Sequence, residues 1–81
     1  MNLRTQVAKT LRALRKEAGL TQEVLASKVS YSEAAISFME TDQRSIPLEA
    51  IESFAKALDV SISITITSSR NGKNIVRSIN V

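Results

Sequence analysis

The chain has 81 residues, enough for one domain with a small core, and its 43% hydrophobic and 23% charged content is that of an ordinary globule. It holds no cysteine and no histidine, which excludes a disulfide framework, a cysteine zinc site, and the usual general base and triad geometries. The net charge of +3 favours an anionic partner only mildly. Residues 1–19 carry five of the cations and residues 61–81 carry three with no carboxylate, so the stretch between them is net acidic.

Residues 3–18 read as a first helix. Leu3, Val7, Leu11, Leu14 and Ala18 recur at three and four, Arg4, Lys9, Arg12, Arg15 and Lys16 fill the other faces, and Gly19 closes it. A basic, acid-poor N-terminus also suits a transit peptide, but this apolar stripe is needed for the core.

Leu20 to Glu40 reads as two short helices joined by a tight turn. Thr21 caps the first, opened by Gln22 and Glu23 and running to about Val29, with Leu25, Ala26 and Val29 on one face. Ser32 repeats the capping chemistry, and Ala35, Ile36 and Met39 fall at the spacing of a buried stripe. Helices this short need the rest of the chain as a bed.

Thr41 to Ile46 is a polar loop. Pro47 sits at the start of a fourth helix, where its missing N–H costs nothing. Leu48, Ile51, Phe54, Ala55 and Leu58 make the inner face of that helix, which ends near Asp59. The period then changes to two: Ile62, Ile64 and Ile66 alternate with Ser and Thr. Asn71-Gly72 marks a two-residue hairpin turn. It sets Arg70 opposite Lys73, Ser68 opposite Ile75, Ile66 opposite Arg77, Ile64 opposite Ile79 and Ile62 opposite Val81. Every apolar residue but Val76 then shares one face. The expected architecture is mainly α, a four-helix unit over residues 1–60 followed by a β-hairpin over residues 61–81. No apolar run approaches the ~20 residues of a membrane span.

The string from Val7 to Val60 resembles the helix-turn-helix domain of the phage repressor and Cro type, the Xre family. The resemblance rests on Leu11-Arg12, Leu14-Arg15, Gly19-Leu20-Thr21-Gln22, Leu25-Ala26, Lys28, Ser32, Ile36-Ser37, Glu40, Leu48-Glu49 and Ala55-Lys56-Ala57-Leu58. It implies a cytoplasmic, lambda-repressor-like protein of prokaryotic or phage type whose partner is double-stranded DNA. The helix from Ser32 to Thr41 would enter the major groove. Thr21, Gln22 and the start of their helix would meet phosphate, and Glu33, Ala34, Ser37 and Phe38 would face bases or backbone. Arg15 would pair with Glu40, a link of little energetic worth if exposed. The chain departs from the pattern in three places. Ser30 replaces the turn glycine, which predicts a non-glycine residue at positive φ. Glu33 stands where Gln is common, and Phe38 where a basic or amide residue is.

Each of these residues has a plainer reading. Gln22 could cap or lie solvated. Glu33 could accept from cytosine N4 or serve as a first-turn acid. Ala34 could touch a thymine methyl or be a helix-favouring filler. Phe38 is read first as core, then as a thymine contact or a protein-binding aromatic. Gln43 and Arg44 follow the recognition helix, where phosphate contact and a solvated loop are both ordinary.

The hairpin's apolar face, Ile62, Ile64, Ile66, Ile75, Ile79 and Val81, needs a cover, and the open strand edge needs a partner. It is therefore expected to dimerise the chain. A β segment directly after the fourth helix is similar to antitoxin repressors that neutralise kinase toxins, which adds a cognate toxin protein as a second expected partner. The functional expectation is a homodimeric repressor on a palindromic operator. An antitoxin is the alternative, and a protein-interaction module that has lost DNA binding is a third. No cofactor, metal or catalysis is expected, because nothing completes a catalytic set.

Overall fold

A computed structural model describes residues 2–81. The elements are α1 (Leu3–Glu17), α2 (Gln22–Lys28), α3 (Glu33–Glu40), α4 (Leu48–Leu58), β1 (Ser63–Arg70) and β2 (Lys73–Asn80). Four helices and an antiparallel hairpin are thus the architecture expected from the periodicities.

Side-chain oxygens start the first three helices. Asn2 accepts from Thr5 N–H, Thr21 from Val24 N–H and Ser32 from Ala35 N–H. Just past α1, Gly19 has a φ of 74°, which lets Gly19 N–H donate to Lys16 O and Leu20 N–H donate to Arg15 O. That pair of bonds satisfies two otherwise orphaned carbonyls and turns the chain into α2.

The turn between α2 and α3 differs from expectation. Ser30 is not in the left-handed region. The chain leaves α2 through an extended Val29, at φ −127° and ψ 175°, so no strained residue is needed there. The left-handed positions fall on Asp42, Asp59 and Asn71, residue types whose short polar side chains tolerate it.

The core is Leu11, Leu25, Ala35, Ile36, Met39, Ala50, Phe54 and Leu58. Tyr31 tilts its ring against Phe54, with centroids 6.1 Å apart. Three positions expected on inward stripes are not buried: Leu3 is 76% and Leu48 is 73% exposed, and Ala18 is exposed too. Ala8 and Ala50, which lie outside those stripes, are buried alongside the expected Ala35 and Ala55. The first turns of α1 and α4 lie at the edge of the bundle, beside the half-buried Ile62 and Ile64.

The hairpin pairs in the expected register from Arg70↔Lys73 to Ser63↔Asn80. Asn71 and Gly72 both take positive φ, as a tight two-residue turn requires. Ile62 and Val81 lie just outside the ladder, joined by Val81 N–H donating to Ile62 O at 2.8 Å. Beyond Ile64 the hairpin is exposed along its length. It helps draw the molecule out to 48 × 25 × 20 Å. Among the described residues, no helix is long and apolar enough to cross a membrane.

Candidate nucleic-acid interface

α3 buries Ala35, Ile36, Met39 and Glu40 against the other helices. The opposite side therefore carries Glu33, Ala34 and Phe38 exposed, with Ser37 half-buried between them. These four residues form one stripe at i, i+1, i+4 and i+5. Phe38 is 48% exposed, which corrects its reading as core. It sits about 200° around the helix from Ile36, and Ile36 with Met39 already fills the inward side.

The base of this helix is locked. Arg15 Nε donates to Glu40 Oε2 at 2.7 Å, and its Nη2 donates to Oε1 at 2.9 Å. Arg15 Nη1 also donates to the carbonyl of Leu20 at 2.7 Å. Both side chains are buried, so this is not the low-value surface link allowed for above. The bond to Glu40 raises the Arg15 pKa above its ordinary value, so the guanidinium is always charged. Gln22 joins the same network, its Nε2 donating to Glu40 Oε1 at 3.2 Å. Gln22 thus fixes the start of α2 to the end of α3 rather than lying solvated. Thr21 keeps its hydroxyl for the α2 cap, and Ser32 keeps its own for the α3 cap.

The loop after α3 is folded back on the helix end. Gln43 N–H and Arg44 N–H both donate to the carbonyl of Phe38, at 2.8 and 3.1 Å. The Gln43 side chain donates to Thr41 Oγ1. Arg44 is exposed and has no carboxylate partner among the described residues. Asp42 anchors the loop across the fold. Its carboxylate accepts from Arg4 Nε at 2.6 Å and from Thr5 Oγ1 at 2.5 Å, both on the first turn of α1. That clamp joins residues 37 and 38 positions apart, and sequence reasoning missed it. The only local hint was an acidic residue of a type that accepts left-handed backbone, just after a helix.

The clamp predicts a pH dependence. The Thr5 hydrogen bond, and then that of Arg4, hold the Asp42 carboxyl below the ordinary carboxylate value. The folded chain therefore binds this proton more weakly than the unfolded chain does. The stabilisation is complete above the ordinary carboxylate range and is lost as pH falls through the folded-state value. Melting curves taken from neutral into acid solution should show a steeper loss for the wild type than for Asp42→Asn. Parallel loss would remove Asp42 from the anchor.

The sites expected on α2, on α3 and in the loop after it are thus held together, with α3 outward, Gln22 bonded to its last residue, and Gln43 and Arg44 folded onto its Phe38 carbonyl. Ile62 and Ile64, two of the residues expected to dimerise the chain, line the hollow beside α1 and α4. A family model described as a helix-turn-helix domain matches residues 6–63, which contain all four helices. Comparison with curated proteins and with solved structures gives no match. By that match, and by two capped short helices with an outward-facing second one, the chain belongs to the helix-turn-helix domain family of DNA-binding proteins.

Proposed function

We propose that the chain is a transcriptional repressor of the phage repressor and Cro type, acting in the cytoplasm as a homodimer on a palindromic operator, including that of its own operon. The observation that carries this reading is the outward stripe of Glu33, Ala34, Ser37 and Phe38. Among the described residues Glu33, Ala34 and Phe38 are exposed and Ser37 is half-buried, and the buried Arg15–Glu40 pair holds their helix rigidly. The start of α2 and the Gln43–Arg44 loop flank the helix as phosphate contacts, which position it, and the stripe reads bases. Glu33 accepts from cytosine N4, and Ala34 and Phe38 offer apolar contact to a thymine methyl.

Homodimerisation is assigned to the hairpin, through Ile62, Ile64, Ile66, Ile75, Ile79 and Val81. An exposed two-stranded ladder with an aliphatic face and free edges needs a cover. The β-hairpin placed directly after α4 favours one further reading, an antitoxin that also binds a cognate toxin protein.

Selection from random duplexes tests the DNA reading. The wild type should enrich a palindrome with half-sites about one helical turn, ~34 Å, apart. Glu33→Gln should change the preferred base at one position in each half-site, a discrimination of about 1–3 kcal/mol, because an acceptor-only group gains a donor. Arg44→Ala should weaken all sites alike. Failure to enrich any duplex would leave only a protein-interaction module.

A further inference from the structure

We infer that the apolar groove between α1, α4 and β1 receives the far half of a second copy's hairpin, drawn in by opposite charge. The inference rests on the homodimer reading above and specifies what covers what.

The groove has the composition of an unfinished core. Helical periodicity places Leu3 and Leu48 on inward stripes, yet both are largely exposed. With Val7, Ile51, Ile62 and Ile64 they line a hollow of about 370 Å³. It adjoins another of about 500 Å³ that shares Leu48, Ile51 and Ile64 and adds Ile66, Ile79 and Val81. Isolated surface leucines need no explanation, but a contiguous aliphatic trough does.

The occupant must offer matching aliphatic side chains, and the far half of the hairpin does. Strand alternation and the observed register place Ile66, Ile75, Arg70, Lys73 and Arg77 on the same face as Ile64 and Ile79. Ile66 and Ile75 are 57% and 47% exposed. Ile66 lines the chain's own second hollow yet stays exposed, and the hairpin cannot fold back to bury the pair, because its ladder runs unbroken to the turn at Asn71. A second copy can, and two-fold symmetry makes the donated face and the receiving groove reciprocal.

Charge fits the same occupant. The hairpin carries three cations and no carboxylate, and among the described residues none of the three has a carboxylate partner. Glu52 edges the 500 Å³ hollow, and on its far side Glu52 and Asp59 line a third hollow of about 300 Å³ with Lys56 and Val81. Among the described residues Glu52 is engaged only by Lys56, at 3.8 Å and with both ends exposed. Nucleic acid would suit the cations but not the isoleucines interleaved with them.

The test uses two variants of the full chain. One reverses the hairpin, with Arg70→Glu, Lys73→Glu and Arg77→Glu together. The other is Glu52→Lys. All four side chains are exposed, so circular dichroism should show both variants folded. Sedimentation should show each variant alone dimerising about 10-fold or more weakly than the wild type, since like charges then oppose at both contacts. An equimolar mixture should recover the dimer, because each hairpin then meets a groove of opposite sign. A wild type that stays monomeric at tens of micromolar, variants that dimerise normally, or a mixture no tighter than its components would each overturn the inference. If the wild type still enriches a palindromic duplex in those cases, the groove assignment alone falls and the DNA reading stands.

Discussion

Replacing Arg15 with alanine should cost about 3–5 kcal/mol of stability, the usual range when one partner of a buried ion pair is removed. The substitution leaves the Glu40 carboxylate inside the bundle with only the Gln22 amide as donor, and it strips the Leu20 carbonyl of its partner. A domain this small has about 4–12 kcal/mol in total, so much of its stability would go. Three elements loosen together, because the guanidinium ties α1 to the α2 entry and to the last residue of α3. Thermal melting followed by circular dichroism checks this. Arg15→Met combined with Glu40→Leu should recover much of the loss, since an apolar pair of similar volume leaves no buried charge. A single Arg15→Ala variant that melts within a few degrees of the wild type would show that water reaches Glu40 and that the lock is weak.

Removing residues 61–81 should abolish dimerisation and lower operator affinity by roughly a hundredfold or more, the range in which linked half-site binding exceeds single binding. The truncation also uncovers Leu11 and Leu14, which line the groove with Ile62 and Ile64, so it exposes more apolar surface than the intact chain. Ile66→Asp with Ile75→Asp in the full chain separates the two effects. Both positions are exposed, so the subunit should stay folded while the dimer is lost. Sedimentation and binding to the selected duplex should report the same defect for both forms. A truncated chain that dimerises normally would move the interface to α4.

Most of the fold was legible because its elements obey simple periods. α2 and α3 announce themselves through Thr21 and Ser32, α1 through its apolar stripe and closing Gly19, α4 through Pro47, and Asn71-Gly72 sets the hairpin register. The misreadings have physical causes. α3 has eight residues, five of them apolar, so the 3.6 period alone does not decide between Met39 and Phe38 for the inward side. Which residue goes left-handed depends on where the chain must travel next, and the clamp on Arg4 and Thr5 sends Asp42 there while Ser30 stays out. Leu3 and Leu48 satisfy the helical pattern, but pattern reports that a residue wants cover and not which chain supplies it. The Arg15–Glu40 pair was visible in outline, yet its burial, and hence its energetic weight, comes only from the packing of α1, α2 and α3.

The most direct measurement of the central claim is a titration of isotope-labelled full-length protein with the selected duplex, followed amide by amide by NMR. Binding through α3 predicts shifts at Gln22, at Ser32 through Phe38, and at Gln43 and Arg44, with the hairpin amides from Ser63 to Asn80 unmoved. Shifts confined to the hairpin or to α4, with those of α3 unchanged, would contradict it.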